Sequence, residues 1–223
     1  MNRLIKSALM SFSLFAVFLM AGVSFEAHAS TEKQWKFRVF LDDREIGYQK
    51  VRMTPEEDVK RVNVETSFKV KVLFITAYRY EHQTEELWNG SCLANIQSRI
   101  DDNDKKLFIE SQSVSNDFLV ETHAGEQQIE GCVRSFAYWD PELLIASRLL
   151  NTQTGEYKEV EVVELGESPL GIDDEWVDVI QYRLLVEDHS IDIWYTPDMN
   201  WLALQSITEG GYRLRYLPAK EVL

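Results

Sequence analysis

Residues 190–216 read SIDIWYTPDMNWLALQSITEGGYRLRY, and this stretch decides the fold class. Ile191, Ile193 and Tyr195 alternate with Ser190, Asp192 and Trp194, the period of two expected of a strand with one buried face. Pro197 to Asn200 turns the chain into a strand from Trp201 to Thr208. Glu209-Gly210-Gly211 turns it again into Tyr212, Leu214 and Tyr216. Three consecutive antiparallel strands are predicted.

The same alternation runs upstream. Trp35, Phe37, Val39 and Leu41 alternate with Lys36, Arg38 and Asp42, and Asp42-Asp43 leads to a second strand from Glu45 to Met53, a hairpin. After a polar turn at Thr54 to Asp58, Phe68, Val70, Val72 and Phe74 share one face and Ser67, Lys69 and Lys71 the other. The pattern continues through Tyr78, Tyr80, His82, Thr84, Glu86 and Trp88. That is too long for one straight strand, so a bend is predicted near Ile75 to Ala77. Asn89-Gly90-Ser91 turns into Cys92 to Ile100, which pairs with Lys106 to Ser113 across Asp101-Asp102-Asn103-Asp104. Shorter strands follow at Phe118 to Thr122, Gln127 to Gly131 and Tyr157 to Val163, then one marked by Trp176, Asp178, Ile180, Tyr182, Leu184 and Val186. Pro141 to Leu150 is the one helix candidate, capped by Asp140 with Pro141 at its first position.

Many strands joined by short turns predict a mostly β protein: an antiparallel meander forming a strongly curved sheet, half-barrel or barrel with one short helix. A two-sheet sandwich is the rival. An outer-membrane barrel is disfavoured, because outward Lys69, Lys71, Arg213 and Arg215 would meet lipid.

The start of the chain reads as a cleavable signal peptide over residues 1–29. Arg3 and Lys6 precede an uncharged run from Ala8 to Phe25, and Ala27-His28-Ala29 places the cut before Ser30. The expected mature protein is a single β domain over 30–223, periplasmic or secreted and not membrane-embedded. The formal net charge is −14, and loss of Arg3, Lys6 and Glu26 with the leader makes it −15. Such a surface favours solubility and disfavours nucleic acid and anionic membranes as partners. Cys92 and Cys132 are the two cysteines, and in an oxidising compartment a pair suggests one disulfide; two separate buried thiols are the alternative.

Several segments resemble an uncharacterised family of exported bacterial proteins, a domain-of-unknown-function group. They are VFLDDREIGY from Val39, YRYEH from Tyr78, ELWNG from Glu86, YWDP from Tyr138 and IWYTPDMNWLAL from Ile193. The resemblance implies a β-rich exported protein without an assigned activity. The family's usual glycine in the last turn is replaced by Met199-Asn200, where Asn200 is expected to take the positive φ. In architecture the family is also similar to the periplasmic lipoprotein carriers, whose half-barrels hold acyl chains.

His82 is the most suggestive titratable residue, on the face of Tyr78, Tyr80, Glu86 and Trp88, where it could orient a ligand or act as a general base. Glu86 is four residues away, about 13 Å along a strand and beyond hydrogen-bond reach. A histidine simply hydrogen-bonded in a barrel wall is the blander reading. Histidines with metal-ligand spacing are absent, and the acidic runs at 101–104 and 173–175 lack EF-hand spacing and read as solvated turns, so neither a metal nor any other cofactor is expected. G-x-S-x-G, H-E-x-x-H and P-loop motifs are missing. Trp88, Trp139, Trp194 and Trp201, with Tyr78, Tyr80 and His82, form the expected ligand-binding set, unless the rings merely fill the core. The leading expectation is binding or carriage of a hydrophobic small molecule or lipid in the periplasm. The alternatives are a structural or interaction module of an envelope complex, and an enzyme using His82.

Overall fold

The computed structural model describes residues 31–72, 75–187 and 189–220; the predicted signal peptide and Phe74 lie outside them. Alternation becomes strand throughout: β1 Lys33–Leu41, β2 Arg44–Glu56, β3 Val59–Val72, β4 Ile75–Asn89, β5 Cys92–Asp102, β6 Lys105–Val114, β7 Asp117–Thr122 and β8 Gly125–Glu130. A second run follows: β9 Arg148–Leu150, β10 Tyr157–Glu159, β11 Glu161–Ile172, β12 Glu175–Val186, β13 His189–Tyr195, β14 Trp201–Ile207 and β15 Arg213–Pro218. Thirteen of these form one antiparallel sheet in the order β11-β12-β13-β14-β15-β1-β2-β3-β4-β5-β6-β7-β8. Every neighbour in it is also a chain neighbour except β15 and β1, whose pairing (Val39 with Tyr216) brings the two ends of the domain together.

The sheet is barrel-like but not closed, its free edges being β8 and β11. Bulges between Val39 and Phe40, Val70 and Lys71, Leu87 and Trp88, Glu164 and Gly166, and Trp194 and Tyr195 supply local twist and curvature. Turn chemistry follows the residues present. Asn103 (φ 50°) and Asp104 (φ 74°) give the two left-handed positions of a tight hairpin.

The chain between the two free edges, residues 131–160, does not pass around the outside. Val133, Ser135, Ala137 and Trp139 alternate as buried residues, and Leu143, Leu149 and Leu150 are buried in the same core as Phe37, Trp88, Phe118, Leu184 and Tyr195. The segment is stitched to the sheet: Leu93 N–H donates to the Val133 carbonyl (2.8 Å), Tyr195 Oη–H to the Tyr138 carbonyl (2.7 Å) and Ser98 Oγ–H to the Thr152 carbonyl (2.9 Å). The Cys92–Cys132 disulfide is formed and pins the start of the segment to β5. Each buried Leu, Ile or Phe contributes roughly 1.5–3 kcal/mol, so the segment is an integral part of the core.

Four expectations are corrected. The bend near Ile75 to Ala77 is a full reversal: β3 and β4 are antiparallel partners, Lys60 pairing with Trp88 and Lys69 with Arg79. The apolar Leu73-Phe74 carries no turn residue to announce it. The helix shrinks to a 3₁₀ turn at Pro141–Ile145. Asp140 caps it through Glu142 N–H as expected, but Arg148–Leu150 pairs with Tyr157–Glu159 as a two-stranded ladder. Tyr157 to Val163 accordingly splits between β10 and β11. In the last turn Met199, not Asn200, takes the positive φ of 61°.

Candidate functional site

The inner faces of β2, β3, β4, β13, β14 and β15 and the inserted segment line a partly open cavity of about 260 Å³. Alternation along β4 sends His82, Thr84, Glu86 and Trp88 inward together, all at most 5 % exposed. From the segment come Tyr138, Trp139 and Lys158, and from the opposite wall His189, Trp201 and Tyr216.

His82 is a structural junction. Its Nε2 lies 2.8 Å from Ser98 Oγ and 2.6 Å from Thr84 Oγ1, and Ser98 Oγ–H continues to the Thr152 carbonyl. Burial pushes its pKa down to about 4, against a smaller upward pull from the Thr152 backbone, so the ring is neutral near pH 7. No carboxylate is hydrogen-bonded to it among the described residues, and its Nε2 is engaged by hydroxyls. The charge-relay arrangement of a general base is therefore not assembled here.

Glu86 is the second buried titratable group, 4 % exposed. Its Oε2 accepts Trp88 Nε1–H at 2.8 Å, and burial, offset in part by that hydrogen bond, raises its pKa to about 7. A neutral imidazole and a carboxyl poised near neutral pH, in an aromatic-walled cavity, can orient a polar atom of a ligand whose remainder is apolar. Among the described residues no group of three His, Cys, Asp or Glu side chains is placed to hold a metal ion. Asp101, in the acidic turn, is instead paired with Arg79 (3.1 Å) and Lys106.

The seven residues singled out from sequence divide. His82, Trp139 and Trp201 line the cavity. Trp88 lies behind it, 1 % exposed and edge-on to Trp139 at 5.3 Å. Tyr80 stacks on Phe68 (5.0 Å) at the far end of β4, where Tyr78 also lies. Trp194 falls on the opposite face of β13 from Ile193 and Tyr195 and takes no part. The selection missed Glu86, Tyr138, Lys158, His189 and Tyr216. Strand parity with His82 was the available signal for Glu86, and parity with Leu214 for Tyr216.

An incompletely closed, internally filled β-barrel-like domain with a small aromatic cavity is the class these features define. The chain belongs to the family described as domain of unknown function DUF6134, whose model matches residues 37–219. Among solved structures it is similar to the β-barrel-like protein of domain of unknown function DUF1849 from Brucella abortus. That match has a TM-score of 0.62 at 9 % identity and covers 86 % of this chain and 97 % of that one. At such identity the likeness concerns the fold alone. No curated protein matches the sequence.

Proposed function

We propose that the protein is a binding protein of the periplasm that takes a small, largely apolar molecule into the cavity between the inner sheet face and residues 131–160. The carrying observation is the cavity itself, about 260 Å³, lined by the buried His82 and Glu86 together with Tyr138, Trp139, Trp201 and Tyr216. Its size restricts the ligand. Pockets for drug-sized molecules run roughly 300–1,000 Å³, and this one falls just below that range. We accordingly narrow the expected lipid to a ligand smaller than a long acyl chain, because the inserted segment packs into the same core as the sheet. The signal-like start and the disulfide support an exported, oxidising location.

Thermal-shift measurements with small apolar compounds test this. Wild type is expected to gain stability with the logarithm of ligand concentration once it exceeds Kd, and S206F, which puts a large ring at the partly buried cavity wall, is expected to lose the response. Absence of any wild-type shift, or an equal shift in S206F, contradicts the assignment. A second reading, an interaction module of the envelope, is supported by Trp176, 76 % exposed on the β11–β12 hairpin. Loss of a copurifying envelope protein in W176A but not in S206F is the result that would favour it.

A further inference from the structure

The cavity holds a charge-capable group with no counter-ion. Glu86 forms no ion pair among the described residues, its polar contact being with the Trp88 indole. Lys158, a cation lining the cavity from the inserted segment, is bound to Glu187 (2.9 Å) and Glu156 (3.1 Å). A buried carboxyl in apolar surroundings must carry either a proton or a compensating cation. The rings that line the same cavity suit a cation. Tyr138 and Trp201 lie 5.5 Å apart with Tyr216 on the adjoining wall, and Trp139 already receives the Lys60 ammonium 5.2 Å from its ring centre. The chain as a whole carries −14, a field that concentrates cations and repels anions.

We propose that the cavity takes a small organic cation, an alkyl-substituted ammonium, whose charge is met by the Glu86 carboxylate and whose alkyl groups lie against Tyr138, Trp201 and Tyr216. This rests on the cavity being a binding site and names its ligand class. The pair is balanced only if Glu86 is ionised, so binding below about pH 7 expels the carboxyl proton to solvent. The other titratable groups lining the cavity are His82 on the same strand, Tyr138 and Lys158 in the inserted segment, His189 at the start of β13 and Tyr216 on β15; burial raises both phenols well above the ordinary tyrosine value, so they stay protonated from pH 6 to 8. His82 stays neutral from pH 6 to 8 and Lys158 stays charged, so neither contributes to the proton count. His189 is exposed at the rim and is replaced in an H189Q control.

Calorimetry on the purified protein compares tetramethylammonium chloride with tert-butyl alcohol, an uncharged molecule of similar shape, at pH 6 and pH 8 in buffers of different ionisation heat. Tetramethylammonium is expected to bind at least about tenfold more tightly. Its binding should release close to one proton at pH 6 and almost none at pH 8, in H189Q as in wild type, and E86Q should bind the two probes alike. Equal wild-type affinity for the two probes, or a preference for the cation that persists in E86Q, overturns the cation assignment and leaves the cavity a binding site for neutral molecules. If neither probe binds and the apolar compounds give no thermal shift either, both readings fall.

Discussion

Replacing Glu86 and His82 separately should expose two opposed pH dependences of stability that nearly cancel in the wild type. The folded protein keeps the Glu86 proton up to about pH 7, whereas the unfolded chain releases it near 4.5. The folded state therefore binds more protons in that window, and this group's contribution falls as pH rises through it. His82 behaves oppositely. The unfolded chain protonates it near 6.5 and the folded protein only near 4, so its contribution is lost as pH falls between those values. Each shift, at 1.36 kcal/mol per unit, corresponds to about 3 kcal/mol over its window. Between pH 4.5 and 6.5 the two slopes oppose one another. E86Q removes the falling slope, so its stability relative to wild type should rise by about 1.4 kcal/mol per pH unit there; H82Q should fall at a similar rate, and the double variant should track wild type. Urea unfolding at pH 4.5, 5.5 and 6.5, at constant ionic strength with the disulfide intact, reads these differences directly. A constant difference between E86Q and wild type across the series would refute the claim that the cavity holds an uncharged carboxyl.

The remaining predictions concern the frame around the cavity. Reducing the bridge, or C92S/C132S, opens a 40-residue separation and should cost about 4 kcal/mol on the chain-entropy estimate, with exchange of the 131–160 amides rising first in hydrogen-exchange mass spectrometry. G47A should destabilise by about 2–3 kcal/mol in urea unfolding, because a Cβ there would sit 1.9 Å from the Ser67 carbonyl oxygen and 2.8 Å from Phe68 Cα, both backbone atoms. Y80F should stabilise by about 1 kcal/mol, since the buried Tyr80 hydroxyl has no hydrogen-bond partner among the described residues; a loss of similar size in thermal unfolding would show that the hydroxyl is satisfied.

Strand parity carried most of the architecture. Phe37, Val51, Val62, Leu184, Ile193 and Tyr195 occupy the buried face that alternation assigns, because a curved sheet buries one side of nearly every strand. The reversal between β3 and β4 was hidden because local turn chemistry is absent at Leu73-Phe74 and tertiary pairing sets the break. The left-handed position fell to Met199, with Thr196 Oγ1 accepting Asn200 N–H and the Asn200 side chain bound to Asp198. Least legible was the passage of 131–160 through the interior. Its buried alternation uses Ser135 and Ala137, small residues that give weak hydropathic contrast, and nothing local distinguishes an interior crossing from an exterior loop. The site inherited that blindness. Tryptophans could be placed in strands, but which of them faced a cavity depended on parity, which sends Trp194 outward, and on a segment whose path only the three-dimensional packing defines.

Native mass spectrometry of the protein purified from the cells that make it tests the central claim most directly. The proposed cut after Ala29, with one disulfide, defines the bare mass to be compared, so any bound molecule appears as an added mass released by mild activation. The account predicts a small adduct, too light for an acyl lipid, that is present in wild type and absent from S206F. A copurified lipid held stoichiometrically, or a wild-type chain that is bare in every preparation, would contradict it.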